Sequence, residues 1–448
     1  MNLGAFGFRR VDWIPVVVAL LASSCFAWMV PLGANPDESA HFDLVRLIAR
    51  DRRLIVFVPP AGRAPLPEHV AANIARETGW RELPEGEPSR DEAHQPPLYY
   101  AIAATVRGLA GDATAPLRWL SVLFQCATVL WVAVGLRGLF PERPWIAAGS
   151  AGLVAVLPVA AQLGGAISND ALAHFLAAGF GLGCARIAAQ GLDRGSAIRL
   201  GAVFGAGLLA KSTVLQLIPL LLLAGAIALR REPSTRTRTL GGIAIVLLVG
   251  LAIASPWLMR NSQLYGDPLA RTIYAATGPN FAPMAIREIA GWSVLDYIRQ
   301  VGVRTFATIF YFLDPNLPFN RFTGPQIPLA MVLLVTLGGA LGAVRAWREG
   351  CVPKGERFAE ALLAASPWML VPFSIVFSMT VFQAQGRYLH PALTGIATVM
   401  VAGWSAWTPR RPWIGAMVPA VSMAVLTVLQ MLGGGFVGGA TMVGGSNG

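Results

Sequence analysis

The sequence predicts an all-α protein that crosses a membrane many times. Of its 448 residues, 55% are hydrophobic and only 13% are charged, and the mean hydropathy is +0.56. Soluble domains usually carry about 25% charged residues, so a soluble globular protein is excluded. Apolar runs that are long enough to cross a bilayer recur along the chain. We find no soluble domain, low-complexity tract or internal repeat, so residues 1–448 are predicted to form a single transmembrane domain.

Eleven apolar runs are predicted to span the membrane. A helix needs roughly 20 residues to cross, and fewer when it is embedded in a bundle. The first run follows Arg9 and Arg10 and leads directly into an acidic motif, which favours a retained span with a cytoplasmic N-terminus over a cleaved signal peptide. The run 200–210 is the shortest. The predicted spans are residues 13–32, 117–136, 145–163, 171–185, 200–210, 213–229, 239–258, 326–344, 361–381, 389–407 and 412–432.

The charge distribution orients these spans. If the ambiguous run 96–111 does not cross, seventeen basic residues lie in inner segments, and only Lys211 and Arg387 lie in the short outer loops. If it crosses, fifteen of the seventeen move outside. The positive-inside rule selects the first topology, so residues 96–111 are predicted to dip into the outer face or lie along it.

This topology leaves two large outer loops, residues 33–116 and 259–325, in which juxtamembrane helices are expected. The net charge of +11 comes mostly from inner-loop arginine. It therefore indicates membrane topology and contact with anionic membrane lipids, and it does not indicate nucleic-acid binding.

The unusual polar residues converge on the outer face. Six clusters from distant parts of the sequence lie at predicted helix mouths, which is typical of a site built between helices. The clusters are Asp37, Glu38 and His41; His94, Gln95, Tyr99 and Tyr100; Ser168, Asn169 and Asp170; Lys211; Arg260; and Arg387 with Tyr388.

Two acids are candidates for catalysis. Asp37 and Glu38 are adjacent and point in different directions on a helix or turn, so one of them is expected to face the site. A carboxylate there suits a general base that takes a proton from an acceptor hydroxyl. The alternative is an acid in the first turn of a helix, where the dipole favours it. Asp170 has the alternative role of capping a helix after Ser168.

Lys211 is the most unusual cation. The chain has two lysines against thirty-three arginines, and Lys211 interrupts an otherwise apolar stretch. A cation there is costly unless it meets an anion or water. A lipid phosphate is the natural partner, with Arg387 as a second donor. The alternative is that both side chains snorkel to lipid headgroups.

Signals for a metal or a sugar are weaker. His94 and His41 could bind a divalent metal together with a carboxylate, but no fixed ligand spacing accompanies them. A histidine beside a Pro-Pro turn is more often a structural residue. Tyr99 and Tyr388 suit either an aromatic belt at the membrane boundary or a sugar-stacking surface. No other cofactor is indicated.

These motifs together resemble the GT-C superfamily of polytopic, lipid-dependent glycosyltransferases, which includes protein O-mannosyltransferases and aminoarabinose lipid A transferases. The resemblance extends over residues 12 to about 408, and a family of bacterial membrane proteins is the closer match. The matching segments are Pro36–Phe42, His94–Tyr100, Ser168–Asp170, Trp257–Asn261, Tyr265–Leu269 and Gln385–Pro391.

The resemblance implies a GT-C-like bundle and a role for each matched polar residue. Asp37 is implied to be the catalytic base, and Asp170 matches a second functional acid. Lys211 and Arg387 are implied to contact a lipid phosphate. His94 and Gln95 stand where aminoarabinose transferases have Glu-Lys, so the chain departs from that pattern.

The implied reaction is an inverting transfer of a sugar from a polyprenyl phosphate to a hydroxyl of a glycan, lipid or protein acceptor. It would occur at the outer, periplasmic face of a bacterial cytoplasmic membrane. Glu38, His41, His94, Gln95, Tyr99, Arg260 and Tyr388 are the further candidate substrate contacts. A transporter or flippase for polyprenyl-linked glycans is the alternative, although no acid lies in the middle of a predicted span. A non-catalytic binding partner is the third possibility.

Overall fold

The computed structural model describes most of the chain and shows a bundle of α-helices. Among the described residues there is no strand, only one isolated bridge between Pro60 and Leu83. The described residues are 10–60, 66–111, 113–271, 273, 283–310, 326–380, 382 and 384–432.

The helices follow the predicted runs closely. The first eleven are α1 Trp13–Met29, α2 Glu38–Asp51, α3 Glu68–Thr78, α4 Leu98–Ala110, α5 Ala115–Leu139, α6 Pro144–Val156, α7 Pro158–Gly164, α8 Asn169–Gln190, α9 Arg194–Ala210, α10 Ile218–Arg231 and α11 Arg236–Tyr265. The others are α12 Pro283–Ala290, α13 Val294–Phe310, α14 Gln326–Arg348, α15 Arg357–Thr380, α16 Leu393–Ala406 and α17 Pro412–Leu432.

The protein is a multi-pass membrane protein, but the structure does not support all eleven predicted spans equally. Eight described helices are long and apolar enough to cross a membrane. A ninth span is formed if α6 and α7 are counted together, although they are bent by 64° at the break before Pro158. The helices α9 and α16, which match the predicted spans 200–210 and 389–407, have 17 and 14 residues and fall short of that length.

Close helix packing depends on glycine in the middle of the bundle. A Cβ added to Gly403 on α16 would lie 1.7 Å from the carbonyl oxygen of Gly339 on α14. Because any side chain would push these two helices apart, glycine is required where they cross.

The first outer loop folds against the ends of the spanning helices. Its helices α2, α3 and α4 surround a second hydrophobic core that contains Phe57, Tyr99, Tyr100 and Tyr265. The helix α11 contributes to this core, because the Tyr265 hydroxyl accepts a hydrogen bond from the Phe57 amide at 3.2 Å. The helix α4 covers most of the ambiguous run 96–111 and is not among the helices long enough to cross.

The predicted second outer loop carries an amphipathic helix, α13. In α13 the side chains of Leu295 and Ile298 are 74% and 60% exposed, whereas Tyr297 and Thr308 are buried. Residues 272, 274–282 and 311–325 of the predicted loop 259–325 lie outside the described residues.

Candidate functional site

Four charged side chains form a continuous chain of ion pairs at the helix mouths. The Lys211 Nζ donates to Asp170 Oδ1 at 2.5 Å, and the Arg387 Nη1 lies 3.4 Å from Asp170 Oδ2. The Arg387 Nη2 donates to Asp37 Oδ2 at 2.6 Å. Residues from four of the six polar clusters therefore meet.

Asp170 is held by local helix geometry at the start of α8. The Ser168 hydroxyl accepts a hydrogen bond from the Asp170 amide at 3.2 Å and caps the helix. Lys211 follows the last residue of α9, and both Lys211 and Asp170 are buried. Since an unpaired buried charge is strongly destabilising, this pair is needed for each partner to remain charged.

Arg387 is positioned by a tight approach between two backbones. A Cβ at Gly386 would lie 2.1 Å from the Ile309 nitrogen, so only glycine fits beside α13. The Gly386 amide donates to the Thr308 hydroxyl at 2.6 Å. Burial lowers the pKa of Arg387, but the neighbouring Asp37 carboxylate raises it well above its usual value. The guanidinium is therefore a permanent positive charge.

Asp37 has a left-handed backbone, with φ at 59° and ψ at 5°. A non-glycine residue pays about 1 kcal/mol for this conformation, which is tolerated where the surrounding structure imposes it. The side chain is 46% exposed and is the open end of the ion-pair chain. Desolvation raises the pKa of Asp37, but the attraction and hydrogen bond of Arg387, together with weaker contributions from His41 and Lys211, hold the pKa below its usual 3.8.

Glu38 points the other way and is completely enclosed by protein. The Arg118 guanidinium forks onto it, with Nε to Oε1 at 2.8 Å and Nη2 to Oε2 at 2.7 Å. The amides of Gly33 and Ile167 and the Asn35 side chain also donate to it. All of its acceptor capacity is used, so the structure corrects the predicted substrate contact: Glu38 fixes the turn that presents Asp37.

His41 and Glu92 lie beside Asp37. The His41 Nδ1 is 2.8 Å from the Tyr100 hydroxyl and 3.8 Å from Glu92 Oε2. Burial lowers the pKa of His41 to about 4, so the ring is neutral at pH 7. Burial and the Asp37 charge together raise the pKa of Glu92 to about 8.

This group is the one set of three metal-type donors that the described residues bring together. Donor atoms of Asp37, His41 and Glu92 lie within 4.8 Å of one another, and Glu92 Oε2 is buried without a hydrogen-bond partner. Two carboxylates and an imidazole fit a divalent ion such as Zn²⁺ or Mn²⁺. His94, the predicted metal ligand, lies outside this group, with its Nδ1 2.6 Å from the Asp91 carbonyl oxygen.

Three further candidate residues lie outside the network of ion pairs. The side-chain Nδ2 of Asn169, next to Asp170, donates to Gln95 Oε1 at 3.4 Å. Tyr99 is fully buried in the outer core, 3.4 Å from the Ser121 hydroxyl, so it does not face an open site. Tyr388 is half-buried, and the Arg387 guanidinium lies 5.4 Å from the centre of its ring.

Arg260 has a supporting position as well. Its Nη2 donates to the Ile55 carbonyl at 2.8 Å, and its guanidinium lies 4.7 Å from the centre of the Trp257 ring. These contacts tie the first outer loop to α11. Arg260 therefore helps to hold that loop in place, and its role as a substrate contact stays a prediction.

The sequence does not predict Glu92 as a site residue, and it does not predict the contact between Tyr100 and His41. Glu92 is one of many acids in the first outer loop, and nothing in its local sequence separates it from the others. Tyr100 is adjacent to Tyr99, and only the helical phase of α4 decides which ring reaches His41.

Known proteins share the helical membrane architecture of this chain. Residues 94–259 match the family model described as dolichyl-phosphate-mannose-protein mannosyltransferase. The structure is similar to ArnT from Cupriavidus metallidurans bound to undecaprenyl phosphate, with a TM-score of 0.58 and 14% identity over 96% of this chain and 78% of that one. The apo form of ArnT gives a TM-score of 0.54, with 15% identity over 95% and 77% of the two chains.

An archaeal protein is similar over much the same part of this chain. The oligosaccharyltransferase AglB from Archaeoglobus fulgidus, in complex with an inhibitory peptide and a dolichol-phosphate, gives a TM-score of 0.52 with 14% identity. The match covers 95% of this chain and 55% of AglB. This chain has the GT-C fold. The predicted resemblance is thus confirmed at the level of the fold, while a comparison with curated proteins finds no sequence match.

Proposed function

We propose that this GT-C protein is a glycosyltransferase that moves a sugar from a polyprenyl-phosphate carrier to an acceptor hydroxyl. The observation that carries the proposal is the chain of ion pairs from Lys211 through Asp170 and Arg387 to Asp37. It places two cations beside one partly exposed carboxylate at the helix mouths. Cations suit a phosphate leaving group, and the carboxylate suits a general base.

The proposed reaction is a single inverting displacement. The Asp37 carboxylate takes the proton of the acceptor hydroxyl as that oxygen forms a bond to the sugar carbon. The bond between this carbon and the carrier phosphate oxygen breaks, and the oxygen leaves with the electron pair. Lys211 and Arg387 stabilise the charge that develops on the departing phosphate, so they contribute more in the transition state than in the ground state.

The lipid phosphate would also change the state of Asp37. Without lipid, Arg387 holds Asp37 at 2.6 Å and makes it a weak base. The four charged groups already balance, so an arriving phosphate adds unpaired negative charge and competes with Asp37 for Arg387. Release of Asp37 from Arg387 raises its pKa towards the usual range and makes it a better base. Carrier binding thereby activates the catalytic group.

A divalent metal is compatible with this scheme. Asp37, His41 and Glu92 would hold the ion, which would supply positive charge next to the reacting phosphate. The His41 side chain keeps its orientation through Tyr100.

The proposed orientation rests on charge. The basic helix ends lie on the face opposite the candidate site. The positive-inside rule places this basic face in the cytoplasm. The donor would therefore be used at the periplasmic face of a bacterial cytoplasmic membrane. The acceptor is a glycan, a lipid or a protein.

Native mass spectrometry of the purified protein tests the lipid site. Wild type should retain polyprenyl phosphate, and Lys211→Ala/Arg387→Ala should lose it. Arg271→Ala is the matched control, since its side chain is 77% exposed and belongs to the second outer loop. Equal retention by wild type and the double variant would refute the proposed phosphate site.

A further inference from the structure

A groove of about 350 Å³ opens on the bundle surface at the membrane face remote from the candidate site. It lies between α5, α8 and α9. The candidate site is at the start of α8, at Asp170, whereas the groove reaches the end of this helix at Gln190. The near end of the groove, at Gly179, is nine residues from Asp170, or about 14 Å of helix at 1.5 Å per residue, and the far end is about 30 Å away. None of the four ion-paired site residues lines the groove, so it is not part of the candidate site.

The groove has the depth of one membrane leaflet. Along α8 it extends from Gly179 to Gln190, which is about 16 Å of helix. The hydrocarbon core of a bilayer is about 30 Å thick, so half of it is about 15 Å. A groove on a membrane span that ends near mid-bilayer is accessible to the lipids of a single leaflet.

The walls of the groove are rigid and apolar. The Trp131 ring packs directly over Gly179, where an added Cβ would lie 1.4 Å from the ring. The same ring packs against Phe175, with centroids 4.7 Å apart. Gly183 likewise accommodates Leu200. Since the side chains are fixed against glycine, the groove is a preformed surface.

The mouth of the groove is polar and basic. Arg186 is half-buried and Arg199 is exposed, and both line the cavity. The one acid among the lining residues is Asp193, which caps α9 by accepting a hydrogen bond from the Ser196 amide at 3.0 Å.

Two further arginines flank this mouth. The Arg231 Nη1 donates to the Ala188 carbonyl at 3.3 Å, and the Arg238 Nε donates to the Leu192 carbonyl at 3.0 Å. They satisfy carbonyl groups around the loop between α8 and α9 and keep the local charge positive. The mouth therefore complements a negatively charged headgroup.

We propose that this groove binds an anionic phospholipid of the leaflet opposite the candidate site. One acyl chain lies along α8 against Trp131, and the phosphate of the headgroup pairs with Arg186 and Arg199. The site is independent of the transferase proposal, because it uses neither Asp37 nor Lys211 nor Arg387.

Native mass spectrometry of the full-length protein with added phosphatidylglycerol or phosphatidylcholine tests the proposal. Wild type should retain phosphatidylglycerol at least tenfold more strongly than phosphatidylcholine. Arg186→Gln/Arg199→Gln should weaken phosphatidylglycerol binding about 30-fold, since two basic contacts are lost. Ala202→Trp, on the exposed wall of α9, should fill the groove and reduce binding of both lipids.

The matched control is Arg348→Gln/Arg410→Gln. It removes two exposed charges from helix ends outside the groove and should bind phosphatidylglycerol like wild type. Equal binding of the two lipids by wild type would overturn the proposal, as would an equal loss in the control. Two other results would overturn the proposal because they show a different occupant of the groove. One is selective retention of polyprenyl phosphate there, and the other is a stable dimer that Ala202→Trp dissociates.

Discussion

Asp37 is the proposed catalytic base, whereas its neighbour Glu38 is assigned to the fold. The variant Glu38→Ala tests that structural assignment. Glu38 has no exposed surface and faces the buried Arg118 guanidinium through two hydrogen bonds of 2.7–2.8 Å. Removing one partner of a buried ion pair costs about 3–5 kcal/mol, because the other charge is left without compensation. We expect Glu38→Ala to lower the free energy of unfolding by about this amount.

The assay is thermal unfolding in detergent, followed by tryptophan fluorescence. Glu68→Ala is the matched control, since Glu68 is 77% exposed and pairs with Arg81 at the surface. Its effect should stay within about 0.5 kcal/mol. A Glu38→Leu/Arg118→Met variant should recover part of the lost stability, because it removes both buried charges. The recovery is partial, since Arg118 Nη1 also donates to the Ala27 and Val30 carbonyls at 2.7 Å.

A loss of less than about 1 kcal/mol in Glu38→Ala would refute the assignment of Glu38 to the fold. An unchanged melting temperature with lost turnover would instead make Glu38 a catalytic or binding residue.

Four further predictions concern the site. Asp37→Asn should lower kcat by about 10²–10⁴-fold with an unchanged melting temperature, as expected for loss of a general base; full activity would exclude that role. Arg387→Ala should raise the Kd for polyprenyl phosphate in a lipid-binding titration, and an unchanged Kd would contradict the phosphate contact. The pH profiles of kcat/KM and kcat should differ on the acidic side, because the first reports Asp37 in the free enzyme and the second reports it with the carrier bound. Arg387 lowers the pKa of Asp37 in the free enzyme, so kcat/KM should fall only at low pH, whereas kcat should already fall at a higher pH. If both fall at the same pH, carrier binding does not release Asp37 from Arg387. His41→Ala should weaken Zn²⁺ or Mn²⁺ binding in calorimetry by at least tenfold, while His94→Ala should not; the reverse order would restore the predicted His94 ligand.

The sequence predicts the membrane class, the helices and the polar clusters because each depends on local pattern. Apolar runs and arginine asymmetry give the predicted topology, and Lys211 is conspicuous as a cation in an apolar stretch. The structure joins Asp37, Asp170, Lys211 and Arg387 in one network of ion pairs. The pairing of Lys211 with Asp170 is not predicted from the sequence, which gives Lys211 a lipid phosphate as its partner.

The roles of Glu38, Arg260 and Glu92 depend on partners far away in sequence. Glu38 is paired with Arg118, eighty residues later, and Arg260 meets the Ile55 carbonyl, 205 residues earlier. No local pattern encodes such contacts, so the sequence predicts substrate contacts at both residues instead. The short helices α9 and α16 likewise appear as full spans in a hydropathy pattern, although their ends are set by Lys211 and by the Gly386–Ala392 turn.

The most direct test of the account compares wild type and Asp37→Asn after purification from the membranes that supply their donor. Native mass spectrometry would identify the lipid that each protein retains. If Asp37 is the base, the variant should hold the carrier with its sugar attached, and wild type should hold mainly the free polyprenyl phosphate. If both proteins hold the same lipid in the same form, Asp37 does not turn the donor over and the transferase account is wrong.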